Sequence, residues 1–108
     1  MIDHQKIIST IKQRINENHP GLVDDVILFG SRVTGKPTID SDYDVLIITN
    51  EKITWRTKDA IVDICYDISL KYDILIDSKI ISTFELNNRF WGKHPLYTDA
   101  IKDGIHAK

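Results

Sequence analysis

Three short apolar runs limit what this chain can fold into. Val26-Ile27-Leu28-Phe29, Val45-Leu46-Ile47-Ile48 and Ile74-Leu75-Ile76 are too short for helices and are bounded by turn formers or acids. Such runs read as buried strands. Between the second and third lies a helical stripe, Ile61, Ile64, Cys65 and Ile68, spaced i, i+3, i+4, i+7. A crossover helix therefore joins those two strands. The first two are only about a dozen residues apart, which suits an antiparallel neighbour or a short crossover.

The remaining elements follow from local signals. Asp3 is placed as an N-cap, with Ile2 and Ile7 as a staple and Ile7, Ile8, Ile11 and Ile15 on one helical face. Asn18-His19-Pro20-Gly21 stops that helix. The predicted strands cover Val26–Phe29, Tyr43–Ile48 and Asp73–Asp77. Asn50 is expected to cap the helix that runs to about Tyr72. Ser82-Thr83-Phe84-Glu85 matches a capping box, stapled by Ile81 and Leu86, for a short helix to about Arg89. Pro95 starts a last helix with Leu96, Ala100 and Ile101 inward and Gly104 at its end. The expected fold is α/β of the α+β type: a small mixed sheet with helices packed against it.

Length and charge narrow the classes. At 108 residues, positions 1–108 are expected to form a single domain. The net charge of −2, with no long Lys/Arg run, argues against a broad nucleic-acid or membrane-binding face. Cys65 is the only cysteine, so no intrachain disulfide can form. The lack of a long apolar stretch or a signal-peptide pattern makes a cytoplasmic location the expectation.

Chemistry enters at Asp42-Tyr43-Asp44. Alternation along a strand points both carboxylates the same way, about 7 Å apart. They repel unless a cation lies between them, and Mg²⁺ or Mn²⁺ takes hard oxygen ligands of this kind. A third carboxylate on an adjacent strand would complete a two-metal site. Asp73 is the preferred candidate, with Asp77, four residues on and on the same strand face, as its rival. An isolated Asp-x-Asp usually means two exposed acids. Here the pair opens onto a run buried on both faces.

Gly30-Ser31 ends the first strand. Glycine permits close backbone approach, and Ser31 can start a turn whose N–H groups and hydroxyl hold a phosphate. Arg32 and Lys36 add charge for a triphosphate. Gly30 to Lys36 also matches the first seven positions of a P-loop, but the eighth is Pro37 where Ser or Thr is required. Only five residues separate Lys36 from Asp42, too few for the helix a P-loop needs.

Leu28-Phe29-Gly30-Ser31-Arg32-Val33-Thr34-Gly35 followed by Ser41-Asp42-Tyr43-Asp44-Val45-Leu46-Ile47 resembles the signature of the minimal nucleotidyltransferases, within the DNA polymerase β-like superfamily. The resemblance implies transfer of NMP from an NTP, ATP in the first instance, to a hydroxyl with Mg²⁺. It implies Gly30 and Ser31 as the triphosphate turn, Asp42 and Asp44 as metal ligands, and Asp73 as third ligand and general base. Relatives of this size often act as antitoxins that AMPylate a HEPN-type ribonuclease toxin. A binding-only antitoxin is the alternative, and a small-molecule nucleotidyltransferase is a third. Larger superfamily members carry a further domain that helps to hold base and acceptor. With no such segment after the third strand here, a partner or a second copy of the chain is expected to supply the acceptor and part of the nucleotide pocket.

The other candidates have plainer readings. Tyr43, Trp91 and Tyr97 could stack on a base but suit packing. Asp40 suits a solvated loop, and Cys65 a buried thiol. Arg89, Trp91, Lys93 and His94 form a basic rim around a packed Trp. His4, His19, His94 and His106 lack ligand spacing and read as surface groups.

Overall fold

Asp3 opens the first helix as expected: its carboxylate accepts the Gln5 N–H at 2.9 Å, satisfying one of the free donors of the first turn. This is a computed structural model, which describes residues 3–30, 33, 42–88 and 92–108. The Ile2 half of the staple lies outside those residues. Helix α1 spans His4–Asn18, and Ile7, Ile8, Ile11 and Ile15 are fully buried along it.

Strand β1 (Val23–Phe29) pairs antiparallel with β2 (Tyr43–Thr49), and β2 pairs parallel with β3 (Ile76–Ser82). Helix α2 (Trp55–Tyr72) makes the crossover between β2 and β3. Helix α3 (Thr83–Leu86) and helix α4 (Pro95–Asp103) follow. A two-residue strand β4, Ile105–His106, then adds to the free side of β1. The sheet order is β3-β2-β1-β4, a mixed sheet as expected, with β4 unforeseen.

Each face of the sheet carries its own core. Val26, Leu28, Tyr43, Val45 and Ile47 face α1 and the Ile61, Ile64, Cys65, Ile68 stripe of α2. The alternate residues Ile27, Leu46, Ile48 and Ile81 meet Ala100 of α4. Strand β2 is therefore covered on both sides from Val45 to Thr49, and Asp44 begins the row that faces α4.

Several boundaries differ from expectation, each for a local reason. Thr54, rather than Asn50, caps α2, accepting the Thr57 N–H at 3.2 Å. Asn50 is occupied elsewhere: its backbone N–H reaches Leu22 O at 2.9 Å and its side-chain amide donates to Gly21 O. The third strand was expected over Asp73–Asp77 but begins at Ile76. Asp73 instead ends α2 in the left-handed conformation (φ 54°, ψ 50°), and its N–H and that of Ile74 both return to Ser69 O. The capping box is present, with Ser82 Oγ accepting the Glu85 N–H at 3.1 Å and Glu85 accepting the Ser82 N–H at 3.3 Å. Its helix stops at Leu86; Arg89 lies outside the described residues. On α4, Ala100 faces inward but Ile101 is 40% exposed. His94 Nδ1 caps that helix by accepting the Leu96 N–H at 3.1 Å.

Candidate active site

The ladder of β2 sets Asp44 between two neighbours. Phe29 of β1 stands opposite it on one side and Asp77 of β3 on the other. Parallel pairing keeps both acids on the face turned toward α4. Asp42 lies one residue before β2 and is exposed. Two residues beyond Asp77, Lys79 lies on the same face and holds the Asp77 carboxylate at 3.5 Å.

Gly30 closes the site from the β1 end. Its φ of +81° turns the chain away from the strand, and the Gly30 carbonyl accepts the Val33 N–H at 3.0 Å. A Cβ at this position would run into Asp44 Oδ2 and lie 3.2 Å from Asp44 Cγ. The missing side chain is what lets the carboxylate sit against the backbone.

The electrostatics single out Asp44. Burial raises its pKa above the usual 3.8, and the charges of Asp77 and Asp42 raise it further, while Lys79 lowers it. A carboxylate half-buried among like charges is a place where a cation is favoured. Among the described residues, no three His, Cys, Asp or Glu side chains converge as a group that could hold a metal ion. The donor set nevertheless fits one in kind: hard oxygens on adjacent strands, with mutual repulsion that a divalent ion would remove. Asp42, Asp44 and Asp77 are the residues that would hold it, after side-chain rotation toward one another.

Of the sequence candidates, Asp42, Asp44 and Gly30 come together. Asp73 does not join them on the strand; it is an exposed helix cap three residues ahead of β3. Its rival Asp77 occupies the paired position. Ser31, Arg32, Lys36, Asp40 and Trp91 lie outside the described residues. Tyr43 is buried and meets the His4 ring edge-on, a packing role as expected. Tyr97 packs at the margin of the second core. Cys65 is buried with its thiol pushed up to about 11, an inert structural group. His106 is exposed, as expected, and is also tied down: Nδ1 meets Asp25 Oδ2 at 2.6 Å and Nε2 meets Ile101 O at 2.8 Å.

Sequence reasoning missed Lys79, although its i, i+2 spacing from Asp77 was visible once the strand start was known. It also missed a cavity of about 500 Å³ between Gly30 and α4, with Phe29, Leu96, Asp99 and Asp103 in its walls.

Comparison with known proteins bears on the family and the fold. The family model of the nucleotidyltransferase domain matches residues 8–102. The chain is 44% identical over 71 residues to MJ0141 of Methanocaldococcus jannaschii, named as a protein adenylyltransferase; the match covers 66% of this chain and 72% of that one. MJ0604 of the same organism, similarly named, is 30% identical over 88 residues, 82% of each chain. A solved structure of a toxin–antitoxin MntA-HpeT mutant has the same fold, with TM-score 0.58 and 11% identity over 97% of this chain and 72% of that chain. A Sulfolobus solfataricus structure named as a nucleotidyltransferase gives TM-score 0.54 and 19% identity over 94% of this chain and 77% of that chain. The match across nearly the whole sequence, together with acids paired on β2 and β3, leads to one assignment: the chain belongs to the nucleotidyltransferase domain family and is a nucleotidyltransferase enzyme.

Proposed function

We propose that the chain transfers AMP from ATP to a hydroxyl of a protein acceptor, with Mg²⁺ or Mn²⁺ held by Asp42, Asp44 and Asp77. The observation that carries this reading is the register of Asp44 against Asp77, with Gly30 pressed on the Asp44 carboxylate. The adenylyl group and protein acceptor are supported by the names of the two Methanocaldococcus jannaschii relatives. A toxin partner, of the HEPN type that the sequence resemblance implies, is supported by the toxin–antitoxin neighbour. No helix among the described residues is long and apolar enough to cross a membrane.

When bound, the divalent ion would neutralise the triphosphate and ease ionisation of the acceptor hydroxyl. The chain's own residues do the rest. The backbone at Gly30, with Ser31, Arg32 and Lys36 beyond it, receives the β- and γ-phosphates at the β1 side. Asp77 receives the acceptor at the β3 side and takes its proton. The acceptor oxygen attacks the α-phosphorus in line; the bond from that phosphorus to the bridging oxygen breaks, and pyrophosphate leaves. Lys79, 3.5 Å from the Asp77 carboxylate, holds it in place before substrate arrives.

Incubation with α-labelled ATP, Mg²⁺ and a candidate toxin tests the assignment. Asp77→Asn should abolish label transfer, a loss on the order of 10²-fold or more, while Asp73→Asn leaves it near the parental rate. The opposite ranking would return the third carboxylate to Asp73. Partner neutralisation by an Asp42→Asn, Asp44→Asn double variant as effective as that of the parent would establish masking by contact instead.

A further inference from the structure

The cavity between Gly30 and α4 lies on the β1 side of Asp44, opposite Asp77. On the proposed reading, phosphates enter at Gly30 and the acceptor at Asp77. In an in-line transfer the pyrophosphate lies opposite the acceptor, at Gly30, and the nucleoside leaves the α-phosphate to the side of that line, where the open space is the cavity toward α4. At about 500 Å³ the cavity is within the usual range for small-molecule sites, roughly 300–1,000 Å³.

Its lining divides by chemistry. Phe29 and Leu96 offer apolar wall, and Asp99 and Asp103 stand one helical turn apart on α4. Ionised carboxylates accept hydrogen bonds and donate none. They turn away phosphate and favour neutral donors, so the phosphates are held at the Gly30 end. A ribose offers two adjacent hydroxyl donors, and its base offers a flat apolar body. We infer that this cavity is the nucleoside subsite: the base lies against Phe29 and Leu96, and the ribose 2′- and 3′-hydroxyls donate to Asp99 and Asp103. The inference rests on the proposed nucleotidyl transfer and adds selection of ribo- over deoxyribonucleotides to it. It also assigns nucleoside recognition to this chain rather than to a partner.

Equilibrium binding by calorimetry tests this on the full chain with Mg²⁺, using ATP, 2′-deoxy-ATP and inorganic tripolyphosphate. ATP should bind at least tenfold more tightly than either of the others. An Asp99→Asn, Asp103→Asn variant, at exposed positions where folding is retained, should bring ATP down to the level of 2′-deoxy-ATP while tripolyphosphate affinity does not fall. Equal binding of ATP and tripolyphosphate by the parent overturns the subsite and leaves the metal and phosphate site standing. Tighter ATP binding by the variant overturns it too, since the carboxylates would then repel the nucleotide. Binding of none of the three overturns the nucleotidyl-transfer reading along with the subsite.

Discussion

Replacing Gly30 with alanine separates two costs that the structure makes calculable. The first is conformational. An L-residue held at φ +81° pays roughly 1–2 kcal/mol for the left-handed region. The second is steric: the new Cβ meets Asp44 Oδ2 and crowds Asp44 Cγ and Cβ, at 3.2 and 3.3 Å. The Asp44 side chain must leave its rotamer, for about 0.5–1.5 kcal/mol more. Gly21 supplies the control, because its φ is +77° but a Cβ there meets nothing within 4 Å. Gly21→Ala should thus cost about 1–2 kcal/mol and Gly30→Ala about 1.5–3.5 kcal/mol, on the same scales. Urea denaturation of the metal-free protein reads both. In an Asp44→Ala background most of the extra cost of Gly30→Ala should disappear, leaving only the 3.3 Å contact with Asp44 Cβ, a coupling of roughly 1 kcal/mol. Transfer should separate the variants further: moving a catalytic carboxylate by about 1 Å costs on the order of 10²-fold, whereas Gly21→Ala leaves the rate unchanged. If the two alanine variants lose equal stability and equal activity, the close approach of Gly30 to Asp44 is not what shapes the site.

Asp44 and His106 titrate in ways that stability measurements can follow. The Asp44 pKa is raised in the folded state, so its ionisation opposes folding once pH exceeds the unfolded value near 3.8. Asp44→Asn should therefore stabilise the metal-free protein at pH 7, with the gain disappearing in acid, and should abolish stabilisation by added Mg²⁺; denaturation midpoints across pH check this. His106 is raised above 6.5, first by its hydrogen bond to Asp25. Its contribution is full below pH 6.5 and fades as pH rises through the folded value, so His106→Gln should flatten that part of the stability profile.

Burial patterns made much of the fold legible. The Ile7, Ile8, Ile11, Ile15 stripe, the β2 run and the Ser82–Glu85 box each carry a period or a hydrogen-bonding pair that local sequence records directly. The start of β3 was not legible, because Asp73-Ile74-Leu75-Ile76 is equally apolar whether it leads into a strand or forms one. A glycine after Tyr72 would have announced the helix end, but here an aspartate adopts the left-handed turn. That difference is why Asp77 replaces Asp73 in the proposed site. Asp73 and Asp77 have the same strand parity, so alternation could not choose between them, whereas the register sets Asp77 opposite Asp44. Strand β4 escaped notice because two residues carry no period. The surface position of His106 was legible, but its partners were not, because Asp25 and Ile101 come from other elements of the fold.

The position of β3 has a consequence for how the protein behaves in company. It is the outer strand of the described sheet, with one row of backbone donors and acceptors left without a neighbouring strand. Such an edge invites another chain to add a strand of its own. Asp77 and Lys79 sit on that edge with charges that an incoming apolar strand could not bury. On the proposed mechanism, the two side chains that prepare the acceptor side of the site would also discourage self-assembly, so that one pair of charges at this edge serves transfer and protects the chain from aggregation.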